Sequence, residues 1–174
     1  MKIGILFILG VIGATFWRMA THEEPMHAED YLQLGIESGT SGKHEDAIEA
    51  FKKALKENPN YIDAYLSLGN AYGNTGRYKE SITAYKEGIQ LNPRHQEVPQ
   101  MEMNIAWIAH KTNDNKTAAL YAKKAIQSFT NRNNYAGVAR AGTRLRMIEE
   151  KFHLWIFTIA YNPSLCRTSV FIRY

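Results

Sequence analysis

Residues 28–61, AEDYLQLGIESGTSGKHEDAIEAFKKALKENPNY, align without a gap on residues 62–95, IDAYLSLGNAYGNTGRYKESITAYKEGIQLNPRH, a shift of 34 positions. Eleven positions are identical: Tyr31/Tyr65, Leu32/Leu66, Leu34/Leu68, Gly35/Gly69, Gly39/Gly73, Gly42/Gly76, Ile48/Ile82, Ala50/Ala84, Lys52/Lys86, Asn58/Asn92 and Pro59/Pro93. Ordinary composition would give about two by chance. Phe51 falls on Tyr85, so an aromatic is kept there too. The chain therefore contains an internal repeat, and one unit can be read for its physics.

Within the unit, Tyr31, Leu34 and Gly35 lie at helical spacing on one face. Gly42 ends that helix, because a residue at ease with φ > 0 closes a helix at little cost. A second helix follows, with Ala47, Phe51, Ala54 and Leu55 inward. Asn58-Pro59 stops it, since proline disfavours helix in the residue before it. Small residues at Gly35 and Ala47 let the two helices approach closely. Neither helix buries its stripe alone, so the units must stack.

These residues resemble the tetratricopeptide repeat, a 34-residue helix–turn–helix unit. Both units carry its pattern of aromatic, Leu-Gly, Gly, Ala, aromatic, Ala and Pro, except that the second has Ser81 and Gly88 where alanine is usual. A third unit fits after three inserted residues. Ile105-Ala106 takes the Leu-Gly place, Asn113 the turn glycine, and Ala118, Ala122 and Ala125 the inner face, while the aromatic and terminal proline are missing. A further helix reads from Tyr135 to Phe152, with Val138, Ala141, Leu145, Ile148 and Phe152 in one apolar stripe and Arg140, Arg144 and Lys151 on the other side. Repeat arrays need such a cap over the last hydrophobic surface. The expected fold is all-α: a right-handed α-solenoid of about three helical hairpins (28–61, 62–95, 99–132) and a cap (135–152), forming an array over 28–152. An N-terminal hydrophobic helix precedes it.

The resemblance also implies a concave groove lined by the first helix of every unit. Its groove-facing places are Glu29, Leu32, Ile36 and Thr40, then Asp63, Leu66, Asn70 and Asn74, then Gln100, Met103, Trp107 and Lys111. Of these, Leu32, Ile36, Leu66, Asn70, Asn74, Met103 and Trp107 form the expected partner-binding set. A Trp, a Met and aliphatics beside Asn amides suit an amphipathic helix or an extended peptide. The same residues also fit packing between neighbouring units. Asn70 offers a ligand backbone both a donor and an acceptor. One version of the family grips acidic chaperone C-termini with a basic clamp. Asn70 matches one clamp place, but the basic places are Leu32, Met103 and Trp107, so that mode is rejected.

The ends read differently. Residues 3–17 carry no charge between Lys2 and Arg18. As a helix they span about 22 Å, short of the ~30 Å hydrocarbon core. Residues 1–20 are read as a signal or membrane anchor, with a cleaved secretory signal or a helix packed on the domain as alternatives, and residues 21–27 as a linker. The array is then expected outside the cytoplasm, either anchored or secreted to the periplasm. Residues 153–174 form an apolar tail without an acidic residue, and no role is assigned to it.

Composition excludes more than it assigns. The chain has 174 residues, 45% hydrophobic and 22% charged, which argues against disorder and against a polytopic membrane protein. Cys166 is the one cysteine and has no activating neighbour in sequence. Residues 19–100 carry 8 basic and 13 acidic groups, net −5, and residues 101–174 carry 11 and 4, net +7. Lys116, Lys123, Lys124, Arg140, Arg144 and Lys151 offer a basic patch for an acidic protein or anionic headgroups, or simply a solvated face. No HExxH, Walker loop or GxSxG elbow occurs among the six histidines and the glycines. Asn115-Lys116-Thr117 matches a glycosylation sequon, a triplet common by chance. The expectation is a non-catalytic, membrane-tethered interaction scaffold with no cofactor or metal, binding another protein or peptide and no nucleic acid. The alternative is an assembly subunit that self-associates as a homo-oligomer through the array ends or the tail.

Overall fold

The computed structural model describes residues 26–161, with side chains through residue 150. The expected anchor at 1–20, most of the linker, and residues 162–174 with Cys166 lie outside these. The described residues form seven helices: α1 Ala28–Thr40, α2 His44–Glu57, α3 Ile62–Asn74, α4 Tyr78–Leu91, α5 Val98–Lys111, α6 Asn115–Thr130 and α7 Tyr135–Tyr161. Helix α1 pairs with α2, α3 with α4 and α5 with α6; successive hairpins stack, and α7 lies on α6. The fold is an all-α solenoid.

The turns repeat one device. Gly42 and Gly76 both have φ +77°, and Asn113 takes their place at +62°. In each turn the amide following that residue donates back five positions: Lys43 to the Ser38 carbonyl at 2.9 Å, Arg77 to Tyr72 at 2.9 Å and Asp114 to Ala109 at 2.8 Å. This is the Schellman closure of a helix end. Asn133 (φ 55°) and the Asn134 amide on the Phe129 carbonyl (3.0 Å) repeat it between α6 and α7. Between hairpins, Asn58 and Asn92 each accept the amide two residues on, from Asn60 and Arg94, both at 3.1 Å. The following proline holds each asparagine extended. The connection at 92–97 is longer than at 58–61, and Arg132 from the end of α6 secures it. Its guanidinium donates to the carbonyls of Arg94 (2.9 Å), His95 (2.7 Å) and Ser128 (3.1 Å).

Inside each hairpin a small residue faces a ring. A Cβ on Gly35 would run into the Phe51 ring, and one on Gly69 into the Tyr85 ring. The third hairpin solves the same problem the other way. Its corresponding pair is Ala106 and Ala122, both buried. The departures at Ser81 and Gly88 are explained as well. The buried Ser81 hydroxyl donates to the Gly69 carbonyl at 2.6 Å, and the missing Cβ at Gly88 leaves room for Met101.

Three expectations are corrected. Leu34 is 42% exposed, while its counterpart Leu68 is 6% exposed under the first hairpin; no described unit precedes α1 to cover Leu34. The last helix does not end at 152 but runs to Tyr161, because no proline or glycine interrupts it after Gly142 until Pro163. The expected membrane-anchored, extracytoplasmic location is withdrawn: no described helix is long and apolar enough to cross a membrane, and residues 1–20 lie outside the described ones. In α7, the longest, Arg140, Arg144, Arg146, Glu149, Glu150 and Lys151 break every apolar run of the needed length.

Glu102 occupies the place that Tyr31 and Tyr65 hold in the earlier units. It is 6% exposed, and its Oε2 has no hydrogen-bond partner. Burial pushes its carboxyl above the ordinary carboxylate range, against the opposing effects of a Ser128 hydrogen bond and the Lys124 and Arg132 charges. The native state therefore keeps the proton at pH values where the unfolded chain, ionising near ~4.3, has lost it. Stability falls as pH rises through that window. Glu102→Gln should raise the urea midpoint at pH 7 and leave it nearly unchanged at pH 4; an equal shift at both would place the carboxyl in water. For the core, Gly69→Ala should cost about 1–3 kcal/mol by overpacking and Tyr85→Ala about 3–5 kcal/mol by cavity formation. The double variant, which copies the third hairpin, should cost less than the sum by ~1 kcal/mol or more in a urea double-mutant cycle. Simple additivity would show that the two positions do not touch.

Candidate peptide-binding groove

The first helices α1, α3 and α5 place Ile36, Asn70 and Trp107 at one repeated position, with Thr40, Asn74 and Lys111 one turn further on. Two cavities open along this row. The larger, about 510 Å³, is walled by Asn70, Asn74, Gln100 and Asn104, by Met103, Trp107 and Ile108, and by Gly73, Tyr85 and Arg144. The smaller, about 270 Å³, lies between α1 and α3 and includes Ile36, Thr40, His44 and Phe51. Both include Asn70 and Asn74, so these two amides stand at the join.

A hydrogen-bonded chain fixes the polar floor. The Tyr85 ring is buried against Gly69, which carries its hydroxyl out to the groove. That hydroxyl donates to Asn70 Oδ1 at 2.7 Å. Asn104 Nδ2 donates to the same oxygen at 3.0 Å and to the Tyr85 hydroxyl oxygen at 3.2 Å. Gln100 Nε2 then donates to Asn104 Oδ1 at 2.9 Å. The network ties α3, α4 and α5 together. It also uses the Asn70 acceptor, so the expectation that Asn70 offers a ligand both polarities is corrected. Its Nδ2 remains free to donate. Burial raises the Tyr85 phenol above its ordinary range, which keeps it a neutral donor.

The apolar members divide. Trp107 is 41% exposed and forms a wall, with Lys111 Nζ over its ring at 4.9 Å from the centroid and over Tyr78 at 5.1 Å. Ile36 is also exposed. Met103 shows one side to the larger cavity and packs with Ala125, Phe129 and Ala141. Leu32 and Leu66 are half-buried against the cores between units and line neither cavity.

Two features of the site were not anticipated. Asn104 lies beside Met103 in sequence, off the expected row. The Phe51-to-Tyr85 change was the available signal for it, since a hydroxyl emerging from a core needs a partner. Arg144 was expected on the outer side of the cap, yet it lines the larger cavity. Its position three residues after Ala141 and four before Ile148 borders the apolar stripe, which was the signal.

A family model described as tetratricopeptide repeat matches residues 62–95, and one described as TPR repeat matches residues 40–76. The chain carries tetratricopeptide repeats. No curated protein sequence matches it. Among solved structures it is similar to PcrH of Pseudomonas aeruginosa in complex with the chaperone binding region of PopD. The identity is 21% and the TM-score 0.65, over 71% of this chain and 91% of that one. It is similar to the Yersinia enterocolitica type III secretion chaperone SycD in complex with a peptide of the translocator YopD, at 21% identity and TM-score 0.64 over 71% and 92%. It is also similar to the TPR2B domain of yeast Sti1 in its pHsp70 complex, at 16% identity and TM-score 0.66 over 71% and 97%. At these identities the likeness is one of fold.

The network has a direct test. Tyr85→Phe keeps the ring and removes the link to Asn70 and Asn104. It should lower stability by about 0.5–1.5 kcal/mol in urea titrations. An unchanged midpoint would show that the link does not hold the three helices in register.

Proposed function

We propose that this tetratricopeptide array is a non-catalytic scaffold that binds a segment of a partner polypeptide in the groove of α1, α3 and α5. The observation that carries the reading is Trp107: a large ring, 41% exposed, on the wall of a cavity of about 510 Å³ whose floor is a fixed row of amides. An indole in a pocket is the kind of anchor that dominates peptide interfaces, and amide donors and acceptors beside it suit a peptide backbone. The partner-binding set is Ile36, Asn70, Asn74, Met103 and Trp107, with Leu32 and Leu66 as supports beneath. PcrH and SycD, which share the fold, are described in complexes with a partner region and a partner peptide. This supports a groove of peptide width.

One observation favours a second reading, self-association through the first end of the array. Leu34 on α1 and Met26 just before it are both 42% exposed, a surface that a further helix would cover. Leu34→Glu would then abolish a dimer seen by light scattering; a monomer at all concentrations removes that reading.

For the groove, a random dodecapeptide library displayed as N-terminal fusions is panned on the full chain. Enriched peptides should lose about 2 kcal/mol of affinity, close to thirtyfold, on Trp107→Ala, with the urea midpoint preserved. Unfolding by Trp107→Ala would instead make Trp107 a core residue and remove the anchor from the reading.

A further inference from the structure

Arg144 projects from α7 into the wall of the larger cavity, among Met103, Ile108 and Trp107. Its Nε is buried and has no hydrogen-bond partner. No described carboxylate pairs with it: the one ion pair described in this half of the chain joins Lys123 to Glu149. The guanidinium is held below its ordinary pKa by desolvation, with no neighbouring charge acting on it. An arginine nevertheless stays protonated in a protein. The cavity therefore contains a fixed positive charge that the fold leaves uncompensated. Beside it, Asn70 Nδ2 is a free donor, and the Asn74 side chain has no hydrogen-bond partner among the described residues.

From this geometry we infer that Arg144 receives the carboxylate of an aspartate or glutamate side chain in the bound peptide, so that the partner segment is acidic beside its apolar anchor. The inference rests on the groove reading above and names the chemistry of its ligand. Nε itself is buried, so the carboxylate meets the two outer nitrogens, whose planar fork suits two parallel hydrogen bonds. Arg144 is the one cation among the residues lining the cavity, with neutral amides beside it, and this matches one carboxylate better than the greater charge of a phosphate. The source of the charge is unlike the family's basic clamp, whose places here are Leu32, Met103 and Trp107. The terminal helix supplies the cation instead. None of the carboxylates of the α1–α4 half lines the cavity.

The test uses peptides enriched from the displayed library, whose fused C-termini exclude a terminal carboxylate. Each is synthesised with an amidated C-terminus, together with versions in which each acidic residue is changed to its amide. On the native full chain one such change should weaken binding at least tenfold, the loss expected for a charge-assisted pair. On the Arg144→Gln chain the acidic and amide peptides should bind alike. Arg144→Lys should restore part of the difference, and more of it at low salt. Peptides that depend on Trp107 but ignore both the acid-to-amide change and Arg144→Gln would overturn this inference and leave the groove reading intact. Absence of any enriched peptide would overturn both. Should Arg144→Gln lower the urea midpoint, the acid and amide pair on the native chain still decides the outcome.

Discussion

The structure depends on a steric reciprocity between a glycine and a ring. At Gly35 and Gly69 the absent Cβ is filled by Phe51 and Tyr85 from the paired helix, so each hairpin closes to ring-to-backbone contact. Nothing larger than hydrogen fits there while the ring remains. Ala106 facing Ala122 shows the rule from the other side: with the ring gone, a methyl is admitted. Close-packed interiors respond to single methylenes. The pair thus fixes the spacing of each hairpin, and stacked hairpins pass that spacing along the array.

The groove is a consequence of that packing. Because Tyr85 fills the gap at Gly69, its hydroxyl emerges where Asn70 and Asn104 meet it. A phenylalanine there, as at position 51, would leave the Asn70 oxygen with one donor fewer and α5 less firmly tied to α3. One aromatic therefore serves the core with its ring and the site with its hydroxyl. The neighbouring hairpin, with Phe51 and Ile36, has no such polar floor, so the two cavities differ in chemistry although they share a wall.

Most of the solenoid was legible in the sequence because its signals are local and repeated. Glycine or asparagine at the turns, Asn-Pro at the ends of second helices and the small residue opposite the ring each act within one unit, and the period of 34 doubles the evidence. What was not legible depends on neighbours. Leu34 and Leu68 occupy the same place in their units, and only the presence of a preceding hairpin separates an exposed leucine from a buried one. The extent of α7 follows from the absence of a breaker, a weaker signal than the presence of one. In the site, the row Ile36, Asn70, Trp107 follows from the repeat, whereas Asn104 and Arg144 lie off it. Arg144 enters the groove through the angle at which α7 meets α5 and α6, a tertiary quantity that the stripe of Val138, Ala141, Leu145 and Ile148 does not encode.

Local consistency fails mostly in one region: of the described buried side-chain atoms without a partner, His44 Nδ1 lies in the first two hairpins and the others lie on α5, α6 and α7. The first two hairpins satisfy nearly every rule of their repeat, while the third hairpin and α7 hold a buried carboxyl at Glu102 and a desolvated guanidinium at Arg144. The two do not compensate each other: Glu102 is acted on by Lys124 and Arg132, and Arg144 by no charge. An unpaired buried polar group costs about 1–3 kcal/mol, more when charged, against a total stability of about 5–15 kcal/mol. Departures of that size are found where a chain gives up stability for a task. Glu102 lies under Ser128 on the side away from the groove and is explained by the degeneration of the repeat, which lost its aromatic there. Arg144 has no such explanation within the fold. A hydrophobic residue would complete the Met103 and Ile108 wall at less cost, and the proposed acidic ligand is what would compensate the guanidinium.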